Sequence, residues 1–142
     1  MHSPQVVSEE ISMANVARSL EMADQELQAA IDSFNRARRM TFFDFLRPGR
    51  VEQGSEEVHV RHGLEAILSA ERHVTSAAEA IEVIQGGRPG VEQLGSKVRS
   101  LDGCFRTMLH DLRTRPNPRR LVSQLKQVRK AIPHDVVRRY DT

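Results

Sequence analysis

The sequence predicts an all-α fold, a four-helix up-down-up-down bundle with a long antiparallel first hairpin and a shorter second one. Three observations lead there. Apolar residues recur at helical spacing through most of the 142-residue chain. The apolar vocabulary is Leu, Val, Ile, Ala and Met, with aromatics at 4% and no Trp, which suits helices better than sheets. Pro and Gly gather at the places where one helical stripe stops and the next begins.

Residues 1–8 contain Pro4 and no periodic pattern, so a frayed start is expected. The first helix is predicted over residues 9–47. Met13, Leu20, Leu27 and Phe34 recur every seven residues, and Val16, Ala23, Ala30 and Ala37 follow three positions after each. This is an a/d heptad with a large residue at one seam position and mostly alanine at the other. Pro48-Gly49 ends it.

The second helix is predicted over residues 55–85. Ser55 with Glu56 and Glu57 supplies an N-cap and first-turn acids that complement the helix dipole. Val60, Ile67, Val74 and Ile81 take the large positions; Gly63, Ala70, Ala77 and Ile84 follow three residues later. Gly86-Gly87 supplies the C-cap. An antiparallel hairpin requires residues at one level to share an index sum. Phe34 with Ile67, Leu27 with Val74 and Leu20 with Ile81 each sum to 101, as do Arg47 and Gly54 at the turn. Core spacing and turn chemistry therefore agree. The Ala/Gly-rich seam implies close backbone approach, near the short end of the usual range of about 8–10 Å.

The third helix is predicted over residues 89–114, opened by Pro89 in the first helical position. Val91, Leu94, Val98, Leu101, Phe105, Met108 and Leu112 step by three and four in a single stripe. Gly95 and Gly103 weaken it locally, each by about 1 kcal/mol against Ala. Asn117-Pro118 starts a fourth helix over residues 118–132, carrying Leu121, Leu125, Val128 and Ile132. Pro133 breaks it, and residues 134–140 add a short turn or helix with Val136, Val137 and Tyr140. Residues 1–142 read as one helical-bundle domain.

The start of the chain lacks a basic segment followed by an apolar run, so no signal peptide is expected. No apolar stretch approaches the roughly 20 residues that span a bilayer. The single Cys104 has no partner for an internal disulfide. A cytoplasmic protein is the expectation. Cys104 itself, beside Phe105, reads as a small buried apolar residue.

The net charge of +2 conceals an asymmetry. Residues 1–85 hold 8 Lys and Arg against 14 Asp and Glu, a net of −6, and residues 86–142 hold 13 against 5, a net of +8. Arg113, Arg115, Arg119, Arg120, Lys126, Arg129, Lys130, Arg138 and Arg139 crowd the turn before the fourth helix, that helix and the tail. Such a stripe suits phosphates on nucleic acid or another polyanion, with Arg115, Arg119, Arg120, Lys126, Arg129 and Lys130 as contacts. Stacking aromatics are nearly absent and no nucleic-acid motif is recognisable, and a solvated face, or pairing with the acidic first hairpin, accounts for the same residues.

Catalytic and metal-binding readings find less. Glu56-Glu57-Val58-His59 holds one Glu-x-x-His, with His62 one turn further, but a di-metal bundle needs a second motif and two more inward acids. His62 lacks the flanking residues of a phosphotransfer histidine. His73, His110 and His134 have no acid and nucleophile grouped with them, and no Gly-x-Ser-x-Gly elbow exists. Gly86-Gly87-Arg88-Pro89-Gly90 lacks the Gly-Lys-Ser/Thr of a phosphate loop and reads as an interhelical turn. No catalytic, cofactor-binding or metal-ligating residue is assigned, and no cofactor is expected.

The aromatic cluster Phe42, Phe43, Phe45 and Leu46 spreads over several directions of the first helix at its distal end. It plugs the end of the hairpin, docks a partner, or does both. The expectation is a non-catalytic interaction or scaffold protein. It self-associates as a homodimer through this tip or meets another protein there; polyanion binding by the fourth helix is the alternative.

Overall fold

The computed structural model describes the backbone of residues 4–46, 53–84, 89–114 and 118–140, and side chains over 12–37, 58–84, 90–114 and 119–140. The described chain is all-α, with helices α1 (Pro4–Leu46), α2 (Gln53–Val83), α3 (Pro89–Thr114), α4 (Pro118–Ala131) and α5 (His134–Tyr140). Pro89 and Pro118 each open a helix, where the missing N–H costs nothing. α1 begins at Pro4 rather than near residue 9, for the same reason: proline is tolerated in the first turn, and the helix needs no apolar stripe there to form. α2 stops at Val83, where the Ile84 amide bonds to the Ile81 carbonyl at 3.0 Å and tightens the last turn.

α1 packs against α2 far more extensively than any other pair, and also meets α4 and α5; α2 meets α3, and α3 meets α4. The helices thus close a ring around one core. In α1 that core is Val16, Leu20, Ala23, Leu27, Ala30, Phe34 and Ala37, the predicted seam, widened by Ala17 and Ile31. Ile67, Val74, Ile81, Ala70 and Ala77 fill it from α2, joined by Ala66. Leu94, Val98, Leu101, Phe105 and Met108 come from α3, and Leu121, Leu125, Val128 and Ile132 with Val122 from α4. Met13, Val60, Val91, Leu112, Val136 and Val137 pack partly buried against its edge. Each fully buried Leu, Ile, Val, Phe or Met contributes about 1.5–3 kcal/mol of transfer free energy.

The register at the α1–α2 seam turns on one contact. A Cβ at Gly63 would fall 2.5 Å from the Phe34 ring, closer than real contacts allow. The ring lies against bare glycine backbone, one turn from Ile67, the residue the index sum places level with it. A glycine inside a helix costs about 1 kcal/mol against alanine. Here it makes room for the largest side chain of the seam.

Cys104 is exposed rather than buried. It stands one residue before Phe105, whose side chain is fully buried, and a helical step of about 100° turns it off the core stripe.

The same contacts give the relative heights of the two hairpins. On α2 and α3, Ile81 meets Gly95, where an added Cβ would sit 3.3 Å from the Ile81 Cγ2. Eighteen residues along α2 from Ile81 lies Gly63; eighteen along α3 from Gly95 lies Arg113, in its last turn. Beyond that level α1 continues for the twelve residues from Phe34 to Leu46, and α2 begins ten residues before Gly63. At 1.5 Å per residue the first hairpin runs about 15–18 Å past the end of the second.

Candidate functional site

The polar edge between α1 and α4 is joined by side-chain hydrogen bonds from one arginine. Arg129, in the last turn of α4, reaches across to α1. Its Nε donates to Asp24 Oδ1 at 2.8 Å and its Nη2 to Asp24 Oδ2 at 3.5 Å. Nη1 donates to the Gln28 side-chain oxygen. Gln28 passes the contact on, its Nε2 donating to Asp32 Oδ1 at 2.9 Å. Asp24, Gln28, Ile31 and Asn35 step by four, three and four along α1, so they share one flank, directly beside the Leu20–Leu27–Phe34 line.

The backbone of Arg129 is committed as well. Its carbonyl accepts from the Ile132 amide at 3.3 Å and from His134 Nε2 at 2.9 Å. His134 is the first residue of α5, and the Pro133 carbonyl before it accepts from the amides of Val136 and Val137. One residue therefore ties α4 to α1 through its side chain and to α5 through its carbonyl. The imidazole also satisfies an end carbonyl of α4, one of the acceptors a helix leaves open.

Between these helices lies an open groove of about 560 Å³, lined by Gln28, Ile31, Asp32 and Asn35 of α1, Lys126, Arg129 and Lys130 of α4, and His134. Ile31 is buried and the other lining residues are polar. Volumes of about 300–1,000 Å³ are usual for small-molecule sites.

The predicted cations take different places. Lys126 and Lys130 are exposed and line the groove, and Arg129 is half-buried against Asp24. Arg120 bonds through Nη2 to Asp111 Oδ2 of α3 at 3.3 Å, which also accepts from Gln124 Nε2 at 2.9 Å. Arg119 is exposed, and Arg115 lies outside the described residues. The stripe is thus divided between pairing within the bundle and the groove. The backbone of Phe42, Phe43, Phe45 and Leu46 belongs to α1, and their side chains lie outside the described residues. His59 is half-buried and His62 exposed. Among the described residues no three metal-ligating side chains come together, and no helix is long and apolar enough to cross a membrane.

Sequence reasoning missed Asp24, Gln28, Asn35 and His134. For Asp24, Gln28 and Asn35 the signal was a polar stripe at core-like spacing on the first helix, broken by the single apolar Ile31; His134, on α5, carried none. Comparison of the chain with protein-family models, curated proteins and solved structures found no match.

Proposed function

We propose that the chain is a non-catalytic helical-bundle interaction protein that self-associates as a dimer through the distal end of its first hairpin. The observation that carries this reading is the 15–18 Å by which α1 and α2 outrun α3. Over that length α1 and α2 run without α3 or α4 beside them among the described residues. In sequence this stretch holds Phe42, Phe43, Phe45 and Leu46. Large aromatics contribute most of the energy at interfaces, and a second copy supplies a self-complementary surface. The test is solution mass across a concentration series, for the native chain and for Phe43→Asp. The native chain runs as a dimer; the variant runs as a monomer with its helical circular dichroism intact. An unchanged mass in the variant removes the tip from the interface.

A second reading, polyanion binding through α4, is favoured by one observation. Residues 118–140 hold seven Lys and Arg against the single acid Asp135. Retention on heparin at about 50 mM salt with steep loss at higher salt supports it, and no retention excludes it.

A further inference from the structure

We propose that the groove between α1 and α4 is a binding site for the phosphoryl or pyrophosphoryl group of a small soluble ligand. The site is independent of the hairpin tip, and it is narrower than the polyanion reading, using only Lys126, Arg129 and Lys130 of its six cations.

Several groups in and behind the groove are already engaged. Asp32 accepts from Gln28, and Asp24 behind the groove is held by Arg129. Gln28 uses both ends of its amide. Lys126, Lys130 and Asn35 have no hydrogen bond or ion pair among the described residues. Asp24 is thus balanced by a cation and Asp32 keeps its charge beside a neutral amide, so two unpaired ammonium groups face one carboxylate. What the groove still offers is positive charge and N–H donors, and that selects an anion.

The kind of donor selects the kind of anion. An arginine fork matches a planar carboxylate with two parallel bonds. The fork of Arg129 already faces Asp24, which also balances its charge, so the uncompensated charge comes from the lysines. Lysine ammonium groups act as point charges with three rotatable donors, which suit a tetrahedral oxyanion approached from several sides. Lys126 and Lys130 stand one turn apart on the same face of α4, with Asn35 lining the groove from α1. His134 has Nε2 committed to the Arg129 carbonyl, so its Nδ1 becomes a donor only when the ring is protonated.

A structural role covers part of this set. Arg129 and Lys130 stand in the last turn of α4, where cations offset the negative end of the helix dipole. Lys126 lies a turn earlier and has no such role. A groove of about 560 Å³ also exceeds a lone phosphate, so the organic part of a phosphomonoester has room to rest on Ile31. None of the lining residues is Phe, Tyr or Trp, and the one ring, the His134 imidazole, is tied to the Arg129 carbonyl, so the groove lacks a run of stacking platforms, and a compact ligand fits it better than a nucleic-acid strand.

The test is calorimetric titration of the full chain with inorganic pyrophosphate at about 50 mM salt. The expected result is saturable binding at one site, weakened at least about tenfold in Lys126→Gln/Lys130→Gln. Arg113→Gln, which removes an exposed cation at the end of α3, leaves affinity within about twofold. Circular dichroism of both variants confirms the fold, since all three side chains are exposed. No saturation by about 10 mM pyrophosphate, or an equal loss in Arg113→Gln, overturns the site. Malonate binding as tightly as pyrophosphate overturns the tetrahedral preference. Retention on heparin without pyrophosphate binding replaces the site with an extended polyanion surface.

Discussion

On one flank of the Leu20–Leu27–Phe34 line α1 carries Ala23, Ala30 and Ala37, all buried; on the other it carries Asp24, Gln28 and Asn35, none fully buried. The first flank belongs to a seam made from small residues, where Phe34 lies against Gly63. The second is a polar edge where Arg129 bridges to Asp24 and Gln28. The two flanks hold the same helix by different physics. Close backbone approach gains from dispersion and apolar burial, which are non-directional and insensitive to salt. The Arg129–Asp24 pair is directional and partly wet, with side chains 39% and 22% exposed, so solvent screens it and its net contribution is about 1 kcal/mol. Stability resides in the seam, and the edge keeps spare polar capacity available for a ligand.

The largest expected effect breaks the seam. Phe34→Ala empties the space over Gly63 and lowers stability by about 3–5 kcal/mol, read by urea denaturation. Gly63→Ala in the native background drives a methyl into the buried ring and costs about 1–3 kcal/mol. In a Phe34→Ala background the same substitution raises stability by about 1 kcal/mol, because only helix propensity remains. If Gly63→Ala has the same sign in both backgrounds, the large-on-small account of the seam is wrong.

A smaller effect is expected at the polar edge. Asp24→Ala lowers stability by about 1 kcal/mol at low salt, and the loss shrinks at about 1 M salt where the Debye length is short. A loss independent of salt would mean that packing, not charge, joins α4 to α1 there.

The smallest effect sharpens the comparison at the glycines. Nothing lies within 4 Å of a Cβ built on Gly103, so Gly103→Ala raises stability by up to about 1 kcal/mol. Thermal denaturation of this variant beside Gly63→Ala tests whether surroundings or propensity decide the sign.

Much of this was legible in the chain. The heptads of α1 and α2 identified Leu20, Leu27, Phe34, Ile67, Val74 and Ile81 as core, and all are buried. The three-four stripe of α3 did the same for Leu94 through Met108. Helix periodicity is a local property, so single elements could be read without their neighbours. Cys104 was misread because a neighbour in sequence is not a neighbour on the helix face. The groove was legible only in part. The cations of α4 were visible, whereas their division between Asp24, Asp111 and solvent depends on which flank of which helix lies opposite.

By itself the sequence determined an all-α chain, the helix starts at Pro89 and Pro118, and most of the residues that form the core. Those follow from backbone stereochemistry and from side-chain spacing along one helix. Tertiary structure decided that Gly63 receives the Phe34 ring and that Arg129 pairs with Asp24, more than a hundred residues away. It also decided that Lys126 and Lys130 remain open to solvent. Those outcomes depend on the rotation and height of one helix against another, which distant contacts set together and no local spacing encodes.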